Sequence, residues 1–255
     1  MNLTAEQQTL LASIPDPMFR QTTRDFCVNQ QFRKDYWVKG CRTLTALEQA
    51  EALRGQRILL AQPRADVGLK VTGSLGEATL QEAVYGPILD QLADHKPKTL
   101  GQLEQALKAT PSTQSLSFAQ ILQAAMVLSA TGAVQAVQDD AVVQIAKKRT
   151  DRLNVYLMTK ARSSNELSYL ASPVTGGGVT VPRFQQLFLL AKQQGHKHPQ
   201  DWANFVWNIL ALQNQRLVKD GKTLETVEEN LAELTAQASE FAEKQLPILK
   251  ALQIA

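Results

Sequence analysis

The sequence predicts a mainly α protein in which a winged-helix-like central domain with short β-strands is followed by an all-helical carboxy-terminal domain. Three observations carry that expectation. Capping-box signatures, a Ser or Thr followed three residues later by Glu or Gln, stand ahead of apolar runs at Thr45, Thr99, Ser117 and Thr226. Apolar residues recur at helical spacing through most of the chain. Short alternating segments bounded by glycines are confined to the stretch between Ile58 and Ile145.

In chain order, FRQTTRDFCVNQQFRKDYWVKG (residues 19–40) interleaves Phe26, Phe32, Tyr36 and Trp37 with Arg20, Arg24, Arg33, Lys34 and Lys39. Such mixing can stack and neutralise single-stranded nucleic acid. Asp25 and Asp35 interrupt the charge, and an amphipathic helix with aromatic anchors accounts for the same pattern with less assumption. Thr45 and Glu48 cap a helix through Leu53, closed by Gly55, and Ile58 to Leu60 begins a strand. Val67, Leu69 and Val71 alternate as a second strand, which turns at Gly73 to Gly76 and returns at Thr79-Leu80.

Three helices follow, marked by Ile88-Leu89, by Leu100, Leu103 and Leu107, and by Phe118, Ile121 and Leu122. After Gly132 the segments AVQAV and AVVQI flank Asp139-Asp140 and read as a β-hairpin. Three helices and a hairpin are the order of a winged helix-turn-helix, so a nucleic-acid-binding or transcription-regulatory protein is the alternative reading. Charge argues against it, because no Lys or Arg occurs between Lys108 and Lys147 and the wing tip is acidic. Duplex binding depends on neutralising phosphates, and base readout most often uses Arg or Lys.

Beyond the basic junction Lys147-Lys148-Arg149 a domain boundary is expected near Thr150, followed by a helix from Asp151 through Arg162 with Leu153, Tyr156 and Leu157 on one face. Residues 1–150 form a helical amino-terminal segment plus the winged-helix-like domain, and 151–255 the helical carboxy-terminal domain. A helix opens at Pro199 with Trp202, Phe205, Val206, Ile209 and Leu210 on one face. The final helix, capped by Thr226 and Glu229, shows Val227, Leu231, Leu234, Ala238 and Phe241 at alternating spacings of four and three. That stripe either pairs with a second copy or packs on the neighbouring helix.

Ser172, Thr175, Gly176, Gly177, Gly178 and Arg183 are the candidate contact residues for a partner or an anion. Glycines permit close backbone approach, and a helix opening near Pro182 presents free N–H groups, with Thr180 as its cap. The pattern is neither a P-loop nor a dinucleotide fingerprint. Arg183 in a first helical turn opposes the helix dipole and calls for an anionic neighbour, with a salt bridge inside the fold as the plainer solution.

Composition bounds the rest. The chain has 255 residues, 44% hydrophobic, with 27 basic against 24 acidic residues and a net charge of +3, an excess too mild to indicate nucleic acid or an anionic membrane. Cys27 and Cys41 form no C-x-x-C pair, which predicts a reduced, cytoplasmic setting and no metal site. No apolar run reaches membrane-spanning length, and the start MNLTAEQQTLL lacks a signal-peptide pattern. His95, His196 and His198 lack metal-ligand spacing, and no G-x-S-x-G elbow occurs, so no catalytic, cofactor or metal residue is predicted.

FRKDYWVKG with TALEQAEALRGQRILLAQP, then YLASPVTGGGVTVPRFQQLFLLA, and finally QNQRLVKDGKTLETVEENLAELTAQA with LPILKAL, resemble the regulatory region behind the catalytic domain in a family of bacterial class I methyltransferases. They are more distantly similar to the middle and carboxy-terminal portions of bacterial lysine methyltransferases that act on outer-membrane proteins. The resemblance covers most of the chain. It implies a non-catalytic accessory module that works by protein-protein interaction. Its partners would be a methyltransferase catalytic domain, in cis or in trans, a protein substrate and, through the last helix, a second copy. S-adenosylmethionine would bind only in the catalytic domain, since no strand followed by an acidic G-x-G-x-G loop occurs here. The chain is about half the length expected of such a two-part enzyme, as a separated rear half would be.

Overall fold

The computed structural model describes residues 3–33, 35, 38–40, 42–73 and 76–255. Lys34, Tyr36, Trp37 and Cys41, which figured in the sequence reading, lie outside the described residues. The fold is mainly α with small antiparallel β elements.

Each amino-terminal helix begins where a side chain satisfies its free N–H groups. Helix α1 (Ala5–Ser13) is boxed by Thr4 and Gln7, α2 (Pro17–Cys27) is capped by Asp16 with Pro17 in its first turn, and α3 (Ala46–Arg54) is boxed by Thr45 and Glu48. Helix α2 ends at Cys27, so the expected amphipathic helix is shorter than the aromatic-cationic stretch, and Phe32 falls beyond it. Helix α2 buries no residue.

The central unit is built on β1 (Arg57–Leu60). The hairpin β2 (Lys70–Gly73) and β3 (Gly76–Thr79) projects from it as the sequence predicts, and α4 (Glu82–Gln91), β4 (Lys98–Thr99), α5 (Leu100–Lys108), α6 (Phe118–Ala130) and β5 (Val134–Ala136) follow. The boxes at Thr99 and Ser117 form as expected. The predicted wing does not: Ala141 to Ile145 are helical, the opening of α7 (Asp140–Lys160), and the place of the second wing strand is taken by β1. The sheet order is β4-β1-β5, antiparallel throughout, with Ile58 opposite both Lys98 and Ala136. Asp139 and Asp140, read as a hairpin tip, are helix-start residues, where acidic side chains complement the dipole. Apolar alternation over five residues does not distinguish a strand from a helix opening.

Strand β1 also explains how the two halves adhere. Successive side chains on a strand face opposite ways, so Ile58 and Leu60 enter one core with Leu89, Leu103, Ile121 and Leu128, while Leu59 enters the other. The second core gathers Leu170, Phe188, Trp202, Val206, Leu234 and Phe241. The boundary expected near Thr150 falls inside α7, one continuous helix of 21 residues that reaches the carboxy-terminal elements. Its basic run Lys147-Lys148-Arg149 is a stretch of helix surface rather than a linker.

The carboxy-terminal half is not all helical. Around α8 (Arg183–Gln193), α9 (Pro199–Leu212) and α10 (Val227–Glu240) it adds the hairpins β6 (Tyr169–Ser172) with β7 (Gly177–Thr180) and β8 (Val218–Lys219) with β9 (Lys222–Thr223). The second closes through Asp220 and Gly221, both at positive φ (49° and 77°), the conformation of a two-residue hairpin turn. A π-helical turn, Phe241–Gln245, joins α10 to α11 (Leu246–Ala251), with Pro247 in the first turn of α11. The apolar stripe of α10 is used inside the chain: Leu234, Ala238 and Phe241 are buried in the second core, α10 packs on α9, and the Trp202 and Phe241 rings meet edge to face at 6.2 Å. Of the two readings of that stripe, packing on the neighbouring helix is the one realised.

Candidate functional site

The glycine segment builds a hairpin rather than a helix-opening cradle. Ser172 and Gly177 pair across the closed end, Tyr169 and Thr180 across the open end. Ser172 is 1% exposed and fully engaged: its hydroxyl donates to the Leu252 carbonyl at 2.8 Å and accepts the N–H groups of Val174 and Thr175, each at 3.2 Å. It therefore pins the turn to the end of α11. The Thr175 hydroxyl is buried without a hydrogen-bond partner. Gly176 sits at φ +71°, and the Gln138 side chain occupies the space a Cβ would need, 3.0 Å away, while Gly177 has open space there and Gly178 lies beside Tyr169. Of the three glycines only Gly176 meets a backbone demand.

Arg183 lies beyond β7, at the opposite end of the hairpin from the turn, so the structure does not bring it together with Thr175 and Gly176. Its guanidinium is spent. Nε donates to the Ala161 carbonyl at 2.8 Å, Nη2 to the Arg162 carbonyl at 3.0 Å and Nη1 to Gln215 Oε1 at 2.9 Å. Gln213 Nε2 donates to the same Arg162 carbonyl at 2.7 Å. Ala161 caps the end of α7, where free carbonyls and the negative end of the dipole favour a cation. The conflict expected of an arginine opening α8 is thereby resolved, with the cation delivered to the carboxy terminus of another helix instead of to a carboxylate. Burial pushes the Arg183 pKa down from its ordinary value. Pro182, and not Thr180, precedes α8, with no side-chain cap. Gln186, wholly buried, donates to the carbonyls of Leu167 and Val181 at 2.7 and 2.8 Å and ties the β6 approach to α8.

Buried polar groups elsewhere are also structural. Asn154 of α7 bonds both the N–H and the carbonyl of Ala171, as an adjoining strand would. Glu104, 6% exposed, accepts from Arg54 Nε at 2.7 Å and from Lys108 Nζ at 2.7 Å, which fastens α3 to α5. These cations hold its carboxyl below the usual range. Among the described residues no group of three or more His, Cys, Asp or Glu could hold a metal ion, and no helix is long and apolar enough to cross a membrane.

The cavities are modest. One of about 270 Å³ lies beside the π-helical turn, bounded by Phe184, Phe188, Phe241, Glu240 and Lys244, the last two already paired at 2.8 Å. Another of about 260 Å³ lies between α7, α8 and the chain end, where Lys147 and Asp151 pair. Neither presents an unpaired nucleophile beside a base. What the molecule exposes instead is apolar surface on helices: Met18, Phe19 and Phe26 on α2, Phe32 after it, and Val142, Ile145, Leu153 and Tyr156 on α7. The sequence reading took Phe26 and Phe32 of the first group for anchors, and they are 83% and 86% exposed. It put Leu153 and Tyr156 of the second group on one helix face but missed Val142 and Ile145, which it assigned to a hairpin strand.

Residues 1–39 match a family model described as a predicted methyltransferase regulatory domain, in support of the resemblance carried by the sequence. The whole chain is also similar to the uncharacterised protein sll1526 of Synechocystis sp. strain ATCC 27184 / PCC 6803 / Kazusa, with 38% identity over 254 residues that cover 100% of this chain and 48% of that protein. The chain thus spans about half the length of the curated relative it matches, and its amino-terminal segment, the part with the barest aromatic surface, is the part that matches the regulatory domain.

Proposed function

We propose that the chain is a non-catalytic regulatory module of a class I S-adenosylmethionine-dependent methyltransferase, seated on the catalytic domain through its amino-terminal segment. The observation that carries this reading is the coincidence of the regulatory-domain match at residues 1–39 with a helix, α2, that buries nothing within its own chain. An exposed aromatic face rimmed by Arg20 and Arg24 has the composition of an interface, rich in aromatic residues and arginine. The half of the Synechocystis relative that this chain does not cover is long enough to supply the domain that would rest there. On this reading S-adenosylmethionine binds the catalytic domain alone, and the module positions a protein substrate or controls access to it.

The test is isothermal titration of this chain against the uncovered half of that relative, expressed separately. Binding at micromolar Kd or tighter, abolished by Phe19→Ser with Phe26→Ser while circular dichroism stays unchanged, is the expected result. In the same cell S-adenosylmethionine alone should give no heat with this chain. Tight cofactor binding by the chain by itself, with a transferable methyl group, sinks the reading.

A further inference from the structure

Helix α7 has two working faces, and only one is occupied. Val143, Asn154 and Met158 point into the carboxy-terminal half, where α7 packs on β6 and α8. On the opposite side Val142 and Ile145, then Leu153 and Tyr156, form two exposed apolar patches in line, with Arg149 between them and Ile145 75% exposed. At about 100° per residue these four fall within one narrow sector of the helix, and the stripe from Val142 to Lys160 is about 27 Å long.

The charge on this helix is one-sided. Its two acidic residues are already engaged, Asp140 with Arg57 at 2.9 Å and Asp151 with Lys147. Lys148, Arg149, Arg152 and Lys160 take part in no ion pair among the described residues, although Lys160 lies 5.5 Å from the centre of the Tyr156 ring. Past the carboxy-terminal end of the stripe, Tyr156, Lys160, Ala161, Ser164, Glu166 and Leu167 line an open cavity of about 210 Å³. Four unpaired cations around four bare apolar side chains, with a cavity at one end, favour a partner that brings carboxylates and an apolar anchor together.

We infer that this face of α7 binds an acidic amphipathic segment of another protein, laid along the helix with an apolar side chain in the cavity beside Tyr156 and its carboxylates on Arg149, Arg152 and Lys160. A lipid surface fits less well. An interfacial helix keeps cations off the centre of its apolar face, whereas Arg149 lies on the midline between Ile145 and Leu153 and would be driven into the acyl boundary. A second copy of the chain fits less well too, since antiparallel pairing of the same face sets Arg149 and Arg152 against their own kind. Nucleic acid gains nothing from the valine, isoleucine and leucine between the cations. This binding is separate from the α2 contact and stands whether or not a methyltransferase docks there.

The probe is a fluorescently labelled helical peptide of roughly 20 residues, with Leu at i, i+3, i+4 and i+7 and Glu on both flanks. Its anisotropy is followed against the full chain. Salt-sensitive binding is expected. It should weaken at least tenfold in the Arg149→Glu, Arg152→Glu double variant and in Ile145→Ser, each checked for native circular dichroism, and stay unchanged in Phe26→Ser. That last variant separates this face from the α2 surface. The inference is overturned if the Glu peptide does not bind, if its Glu→Gln counterpart binds equally well, or if phosphatidylcholine-phosphatidylglycerol vesicles or a DNA duplex bind more tightly through these same α7 residues.

Discussion

Helices α2 and α8 are each 11 residues long and each carries two phenylalanines, yet α8 buries six residues in succession, Gln186 to Ala191, and α2 buries none. The contrast lies in what stands between the aromatics. In α8, Leu187, Phe188, Leu189, Leu190 and Ala191 leave no polar side, and a helix apolar on all sides must be covered on all sides. In α2 the seven-residue step from Phe19 to Phe26 puts both rings on one face, while Arg20, Gln21, Thr22, Thr23, Arg24 and Asp25 keep the rest wet. A strongly amphipathic pattern therefore says that a helix has an apolar face and not whose surface covers it. Here α8 is the floor of a core, and α2 leaves its aromatic face on the surface.

Replacing one aromatic in each helix tests that contrast with the largest expected effect. Phe188→Ala removes a ring packed 5.7 Å from Phe241 and should cost about 3–5 kcal/mol in urea unfolding. Phe26→Ser should stay within about 0.5 kcal/mol of the parent. Comparable losses at both positions would mean that α2 is packed in solution and that its surface is not available for docking.

Arg183→Ala comes next. It strips the fork that serves the Ala161 and Arg162 carbonyls and should cost about 1.5–3 kcal/mol. Arg183→Lys should recover little, because an ammonium cannot reproduce a planar fork reaching two carbonyls and Gln215. If Arg183 instead served an anion, both variants would leave the urea midpoint where it is and phosphate would raise it in the parent alone.

A smaller effect is expected at the α3–α5 clasp, the tie by which the amino-terminal segment meets the central unit. Arg54 and Lys108 hold the Glu104 carboxyl below its unfolded value of about 4.3. A depressed carboxyl contributes stability that is present above the unfolded value and disappears as pH falls through the folded one. Glu104→Gln should therefore cost about 1–2 kcal/mol near neutrality and cost progressively less below about pH 4. Parallel pH profiles for the two proteins would show that the clasp contributes nothing.

Much of this architecture is legible in the residues because it is locally determined. The boxes at Thr45, Thr99, Ser117 and Thr226 all form, since a cap requires only residues three apart. The hairpin from Lys70 to Thr79 and the helix after Pro199 follow from equally local signals. What escaped was non-local. AVVQI reads as a strand until β1, some eighty residues earlier, takes the pairing edge it would have used. The candidate site escaped for the same reason: the partners of Arg183 are carbonyls at the end of α7 and amides after α9, which no spacing near Arg183 reveals. The second face of α7 was half legible: Leu153 and Tyr156 share a face of the helix read from Asp151, while AVVQI and the basic run after it were divided between a hairpin and a boundary.

The smallest effect separates demands within the glycine triplet. At Gly176 a β-carbon must accept φ +71° and displace the Gln138 side chain, so Gly176→Ala should cost about 1 kcal/mol, most of it from the left-handed backbone. Gly177 faces neither constraint: a β-carbon there meets nothing within 4 Å. Gly177→Ala should be neutral or slightly stabilising, because alanine narrows the unfolded ensemble. Thermal melts of the two variants distinguish a turn requirement from a contact requirement. Should Gly177→Ala keep the parental melting temperature yet lose binding to a partner, the glycines would join α2 and α7 as proposed contact surfaces, and the hairpin would no longer count as framework alone.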